Sequence, residues 1–181
     1  MDHLDAIMEI NKAVDSVFIK NIVPFIDKRA KDNLMIEKRV DKNIRNVLGY
    51  KLDFKTPTNI FYWNYVKREI QRLYYLYKSK FPKMRTSKIT QIDLLKYNVG
   101  GKYEVHTDHF TTSPRALSVI INLNDDYEGG NLIFTDQQDK EIKEYKLGKG
   151  SIVFFPSNFL YPHSITPITK GKRYSIVAWL Q

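Results

Sequence analysis

Tyr97-Asn98-Val99-Gly100-Gly101-Lys102-Tyr103-Glu104-Val105-His106-Thr107-Asp108 is the stretch from which the fold can be read. Gly100-Gly101 interrupts two runs of β-forming residues, and glycine takes the turn conformations that other residues avoid. The run before it, 91–98, and the run after it, 103–108, read as consecutive strands. The same texture continues downstream at 117–122, 131–134, 142–145, 151–155, 162–167 and 173–180. Between these runs stand Asn124-Asp125-Asp126, Gly129-Gly130, Gly148-Lys149-Gly150 and Lys170-Gly171, which carry turn chemistry. Glu128-Gly129-Gly130 reads as a structural turn for the same reason. Short, evenly spaced strands of this kind predict an antiparallel sandwich or barrel over 86–181.

Residues 1–85 read differently. Ile60, Tyr62, Val66, Ile70, Leu73, Tyr74 and Tyr77 recur at spacings of three and four, which predicts an amphipathic helix over 58–80 with Thr58 as its N-cap. Phe18, Ile22, Phe25 and Ile26 predict a second helix, with Pro24 marking a break or a first-turn position. Leu48-Gly49-Tyr50 and Lys55-Thr56-Pro57-Thr58 read as loop. The expected fold class is therefore α+β: a double-stranded β-helix (jelly-roll) core, 86–181, packed with mainly helical support from 1–85, in one domain of 181 residues.

Composition narrows the chemistry. A chain that is 43% hydrophobic and 13% aromatic buries a real core. There is no cysteine, which excludes disulfides, thiolate-bound zinc, iron–sulfur clusters and cysteine nucleophiles. Any metal must sit on His, Asp or Glu. The acid-bearing start MDHLDAIMEINKAVD is unlike a signal peptide and no run reaches membrane-spanning length, so a soluble cytoplasmic protein with no membrane association is expected. A formal charge of +9 attracts anions, but lysines such as Lys28, Lys78, Lys83 and Lys146 are interspersed with acids and read as a solvated surface. Nucleic acid thus stays open as a partner without being favoured, and oligomeric state is not legible.

In an extended strand, residues two apart project from the same face, so His106 and Asp108 point together. An imidazole and a carboxylate side by side supply two ligands of a 2-His-1-carboxylate facial triad, which leaves three positions open on iron. The third ligand must be a distant histidine. His3 is terminal and His109 has the wrong parity, whereas His163 stands just before a strand. Ten residues later Arg173, Ser175, Val177 and Trp179 share one strand face, lining a wall with a guanidinium, a hydroxyl and an indole. A guanidinium fork matches the distal carboxylate of a dicarboxylic acid.

Together with Tyr97–Asp108, the segments Asn122-Leu123-Asn124-Asp125-Asp126-Tyr127-Glu128-Gly129-Gly130-Asn131-Leu132-Ile133-Phe134 and His163-Ser164-Ile165-Thr166-Pro167-Ile168-Thr169-Lys170-Gly171-Lys172-Arg173-Tyr174 resemble the prolyl 4-hydroxylase-like oxygenases over roughly 90–181. The resemblance implies Fe(II) on His106, Asp108 and His163, 2-oxoglutarate anchored by Arg173, and O2 as the oxidant, with ascorbate a candidate further cofactor. It also implies that Tyr97 hydrogen-bonds the co-substrate and that Trp179 stands near the metal; Ser175 joins them as a candidate co-substrate contact. The activity implied is hydroxylation of a residue in a protein or peptide, proline first, with release of succinate and CO2. Collagen-type members carry Lys at the position of Arg173, so the substrate stays open. A lysyl hydroxylase, an AlkB-type nucleic-acid demethylase and a non-catalytic jelly-roll binding module remain alternatives. The AlkB type has a second Arg where this chain has Trp179.

Overall fold

The computed structural model describes residues 3–35, 40–86 and 88–181. A 3-10 turn, His3–Ala6, leads into strand β1 (Met8–Ile10) and helix α1 (Ser16–Arg29). Three short strands follow, β2 (Asp32–Asn33), β3 (Arg45–Asn46) and β4 (Leu48–Lys51), and then helix α2 (Pro57–Lys80). The C-terminal half runs through β5 (Ile89–Tyr97), β6 (Lys102–His106), β7 (Leu117–Asn122), β8 (Glu128–Gly129), β9 (Leu132–Thr135), β10 (Glu141–Tyr145), β11 (Ile152–Pro156), β12 (His163–Ile165), β13 (Ile168–Lys170) and β14 (Arg173–Leu180).

These strands form a large sheet ordered β1-β11-β7-β14-β5-β4-β2 and a smaller one ordered β10-β9-β12-β6-β3, with β13 and β8 paired separately. Every pairing is antiparallel. The large sheet is covered on both faces, which is why β7 and β14 are apolar along most of their length and not alternating. Ile92, Leu94, Val119, Ile121, Phe154, Ile176 and Ala178 face α1 and α2 in one core. Their strand neighbours Leu95, Ile120, Val153, Phe155 and Val177 face the small sheet in a second core with Leu132, Phe134 and Ile165. The helices thus back the large sheet, and the site opens on its other side. This is the jelly-roll core with helices that the strand pattern predicts.

Several local expectations are corrected. The N-cap of α2 is Thr56, whose hydroxyl accepts from the Asn59 N–H at 3.2 Å, and not Thr58. Pro57 takes the first helical position, where its preset φ is suited and its missing N–H costs nothing. Ile60 lies on the exposed side, and the buried stripe takes in Asn59, Tyr62, Trp63, Val66, Glu69, Ile70, Leu73, Tyr74 and Tyr77. Helix α1 runs through Pro24, which sits on its solvent side. Asp15 caps α1, its carboxylate accepting from the Val17 and Phe18 N–H groups at 2.8 and 3.0 Å. Leu48-Gly49-Tyr50 is strand and not loop: β4 pairs with both β5 and β2, and any side chain at Gly49 would collide with Leu34. With β1 and β3 also joined to the sheets, residues 1–85 supply strands as well as helices.

Candidate metal and co-substrate site

Strand register delivers the site. β12 runs antiparallel to β6 with His163 opposite His106, although the two are 57 positions apart in sequence. Ile165 faces Tyr103, so three steps along β6 match two along β12, the signature of a bulge. The bulge brings Tyr103 onto the same side as His106, where the rings stack with centroids 3.5 Å apart and planes 18° from parallel. β6 ends at His106, and Asp108 lies in the bend beyond it, not in the strand expected over 103–108. The bend still aims the carboxylate at both imidazoles: Asp108 Oδ1 is 3.7 Å from His106 Nε2, and Oδ2 is 3.6 Å from His163 Nε2. One donor atom from each of the three residues lies within 4.8 Å of the other two.

Each histidine is oriented by the same local device. His106 Nδ1 lies 2.9 Å from the Glu104 carbonyl and His163 Nδ1 lies 3.1 Å from the Tyr161 carbonyl. A carbonyl only accepts, so each Nδ1–H donates and each Nε2 lone pair is left for a cation. Asp108 is held from behind, its Oδ2 accepting from Ser118 Oγ at 2.6 Å, with Ser118 Oγ 2.7 Å from Ser157 Oγ. Burial alone would raise the Asp108 carboxyl, but His163, His106 and the Ser118 hydrogen bond outweigh it and hold it well below the usual carboxylate range. Burial pushes the His163 imidazolium down to about 4, with His106 acting in the same direction. A neutral His163 imidazole and an ionised Asp108 carboxylate are protonation states that a divalent metal needs.

A narrow cavity extends from this cluster between the two sheets. Arg173 opens β14 directly across from Tyr97 at the end of β5. It is 1% exposed, its Nε donates to Asn122 Oδ1 at 3.2 Å, and its Cζ lies 5.2 Å from the centre of the Tyr97 ring. Its Nη2 has no hydrogen-bond partner, and neither has the buried Ser175 Oγ on the same wall. Buried donors without partners are costly, so two of them converging on one cavity fit an anionic ligand with several acceptor oxygens. The donor set therefore fits the dicarboxylate, and the His–Asp–His cluster fits the iron, that the resemblance implies.

All seven residues singled out in the sequence, His106, Asp108, His163, Arg173, Tyr97, Ser175 and Trp179, line this one cavity. Trp179 presents an indole Nε1 that is buried without a partner, and the Arg115 guanidinium lies 3.7 Å over its ring. His109 stays outside the cluster, its Nδ1 2.9 Å from the Arg115 carbonyl. Sequence reasoning missed Tyr103, Arg45, Ser118 and Asn122. For the last two a signal existed: they are the polar residues at inward parity in the otherwise apolar run 117–122.

Residues 92–181 match the family model described as the 2OG-Fe(II) oxygenase superfamily. A PKHD-type hydroxylase of Gloeothece citriformis is 34% identical over 104 residues, which make up 54% of this chain and 46% of that protein. The chain spans about half the length of the curated relatives it matches in this region. The fold superposes on a Pseudomonas putida prolyl-4-hydroxylase with a TM-score of 0.80 at 16% identity, covering 99% of this chain and 96% of that one. It superposes equally, at 0.80 and 17% identity over 99% and 86% of the two chains, on a Trichoplax adhaerens prolyl hydroxylase in complex with a hypoxia inducible factor peptide fragment.

Proposed function

The chain belongs to the 2OG-Fe(II) oxygenase superfamily, and from that premise we propose that it hydroxylates a residue, proline first, within a protein or peptide. The observation that carries this reading is the buried Arg173, with an unpartnered Nη2, in the cavity wall beside the His106, Asp108 and His163 cluster. In the proposal those three residues hold Fe(II), Arg173 and Ser175 take the distal carboxylate of 2-oxoglutarate, and Tyr97 and Trp179 line the pocket. Bound iron and 2-oxoglutarate supply the oxidising chemistry: one atom of O2 enters a substrate C–H bond as C–OH, and the other enters succinate as CO2 leaves.

The protein's own contribution is positioning. The carbonyls of Glu104 and Tyr161 fix the histidine tautomers, and Ser118 fixes the carboxylate. Leu95, Ile120 and Val177 keep the cavity apolar around the few polar groups that orient the ligand. Arg115 donates to the Asp108 carbonyl at 3.2 Å, tying the bend that carries the third ligand to the wall bearing Trp179. The peptide complex formed by the Trichoplax prolyl hydroxylase supports a polypeptide as prime substrate.

The test is succinate release from 2-oxoglutarate by the iron-loaded protein with a library of proline-containing peptides, followed by mass spectrometry. A gain of one oxygen atom on Pro is the expected result. Oxygen on Lys would move the assignment to a lysyl hydroxylase. Stimulation by methylated oligonucleotides or free amino acids, and by no polypeptide, would overturn the substrate reading and leave the iron and 2-oxoglutarate assignments standing.

A further inference from the structure

A second cavity opens beside the first and shares Arg45, Tyr103, Asp108 and Trp179 with it. It leads outward from the metal cluster to the exposed side chains of Met35 and Phe110. Its walls come from the two sheets. Asp93 stands on β5 of the large sheet, on the face shared by Leu95 and Tyr97, and Arg45 stands on β3 at the edge of the small sheet.

Both side chains are held on one side and unused on the other. Asp93 is 4% exposed, and its Oδ2 accepts from Gln91 Nε2 at 2.7 Å, yet its Oδ1 is buried with no partner. Arg45 lies over the Tyr103 ring at 4.6 Å, and its Nε is likewise buried with no partner. One wall therefore carries a spare acceptor and the other a spare donor. A trans peptide unit has the reverse arrangement, with its N–H and C=O on opposite edges.

We propose that Asp93 and Arg45 are specificity-determining residues that clamp one peptide unit of the prime substrate, Asp93 Oδ1 accepting its N–H and Arg45 Nε donating to a carbonyl. The inference rests on the polypeptide reading above. Proline has no N–H, so the clamped amide belongs to a residue flanking the one that reacts. The clamp selects a chain passing through the groove and sets the distance between that amide and the iron.

The test takes a peptide hydroxylated by the iron-loaded protein from an X5-Pro-X5 library and N-methylates its backbone amides one at a time. In the wild type, methylation at one flanking position lowers kcat/KM by on the order of tenfold or more, the worth of a buried hydrogen bond to a charged group. In Asp93→Leu the unmethylated peptide is already weakened to that extent, mainly through KM, and methylation at the same position has no further effect. Asp93→Asn, which keeps a side-chain oxygen, restores part of the loss. Mn(II) and 2-oxoglutarate titrations check each variant, and Asp93→Ala replaces Asp93→Leu if the latter fails to bind them. Wild-type turnover that tolerates methylation at every flanking amide, or a methylation penalty that persists undiminished in the Asp93 variant, overturns the clamp alone. A wild type that releases succinate but hydroxylates no polypeptide overturns the substrate reading and the clamp with it.

Discussion

Arg173→Met separates what the guanidinium does for a ligand from what it does for the fold. The side chain is 1% exposed and sits among Tyr97, Asn122 and Ser175. Leaving a buried carboxylate without its charged partner costs on the order of 3–5 kcal/mol, so the Kd for 2-oxoglutarate rises between about a hundredfold and a few thousandfold. The ligand-free protein behaves differently. It loses one hydrogen bond to Asn122 Oδ1, but that oxygen keeps the Tyr127 hydroxyl at 3.2 Å, and the Asn122 amide still donates to the Asn124 and Leu147 carbonyls. It also sheds the desolvation cost of a buried cation, which offsets the lost contacts. The unfolding free energy of the ligand-free variant therefore stays within about 1–2 kcal/mol of wild type. The assay is calorimetric titration of the Mn(II)-loaded protein with 2-oxoglutarate, paired with thermal unfolding at saturating and zero ligand. In the wild type, ligand at a hundred times Kd adds about 2.7 kcal/mol of stability, and in Arg173→Met that gain disappears. Arg173→Lys retains part of the affinity but loses the bidentate fork. A variant that keeps the ligand-induced gain would show that another cation anchors the co-substrate; one that unfolds without ligand would show that Arg173 serves the fold first.

His106→Ala, Asp108→Ala and His163→Ala should each abolish metal binding by Mn(II) titration while the far-UV spectrum stays folded, and His109→Ala should be nearly silent; full turnover by His163→Ala would refute the ligand set. Ser118→Ala removes the 2.6 Å hydrogen bond that orients Asp108 and should weaken metal affinity by roughly 10- to 100-fold, measured by the same titration. Gly130 has φ +66, and a Cβ there would run into Ile168 Cδ1 and lie 3.1 Å from Arg173 Cδ, so Gly130→Ala should destabilise the fold by at least about 1 kcal/mol and weaken 2-oxoglutarate binding. The metal-free protein should lose stability in acid denaturation as pH falls from 6.5 toward about 4, because the buried His163 resists protonation that the unfolded chain accepts. His163→Gln should flatten that part of the profile.

What the sequence determined is what depends on local period. Alternation along a strand puts Arg173, Ser175, Val177 and Trp179 on one side, and all four line the cavity. The spacing of Tyr62, Val66, Ile70, Leu73, Tyr74 and Tyr77 likewise marks the buried face of α2, whereas Asp108 reaches His106 from a bend beyond β6 that strand period does not describe. Period assigns a side chain to a face, but it carries no information about which strand lies alongside or at what register. The tertiary structure decided that His163 lies opposite His106, that a bulge turns Tyr103 against the imidazole, and that β4 is a strand because β5 and β2 flank it. It also decided that Asp93 and Arg45, 48 residues apart (93 − 45), face one groove from opposite sheets. These pairings are long-range and stabilised only once both partners are in place, so no stretch of either strand read alone can announce them.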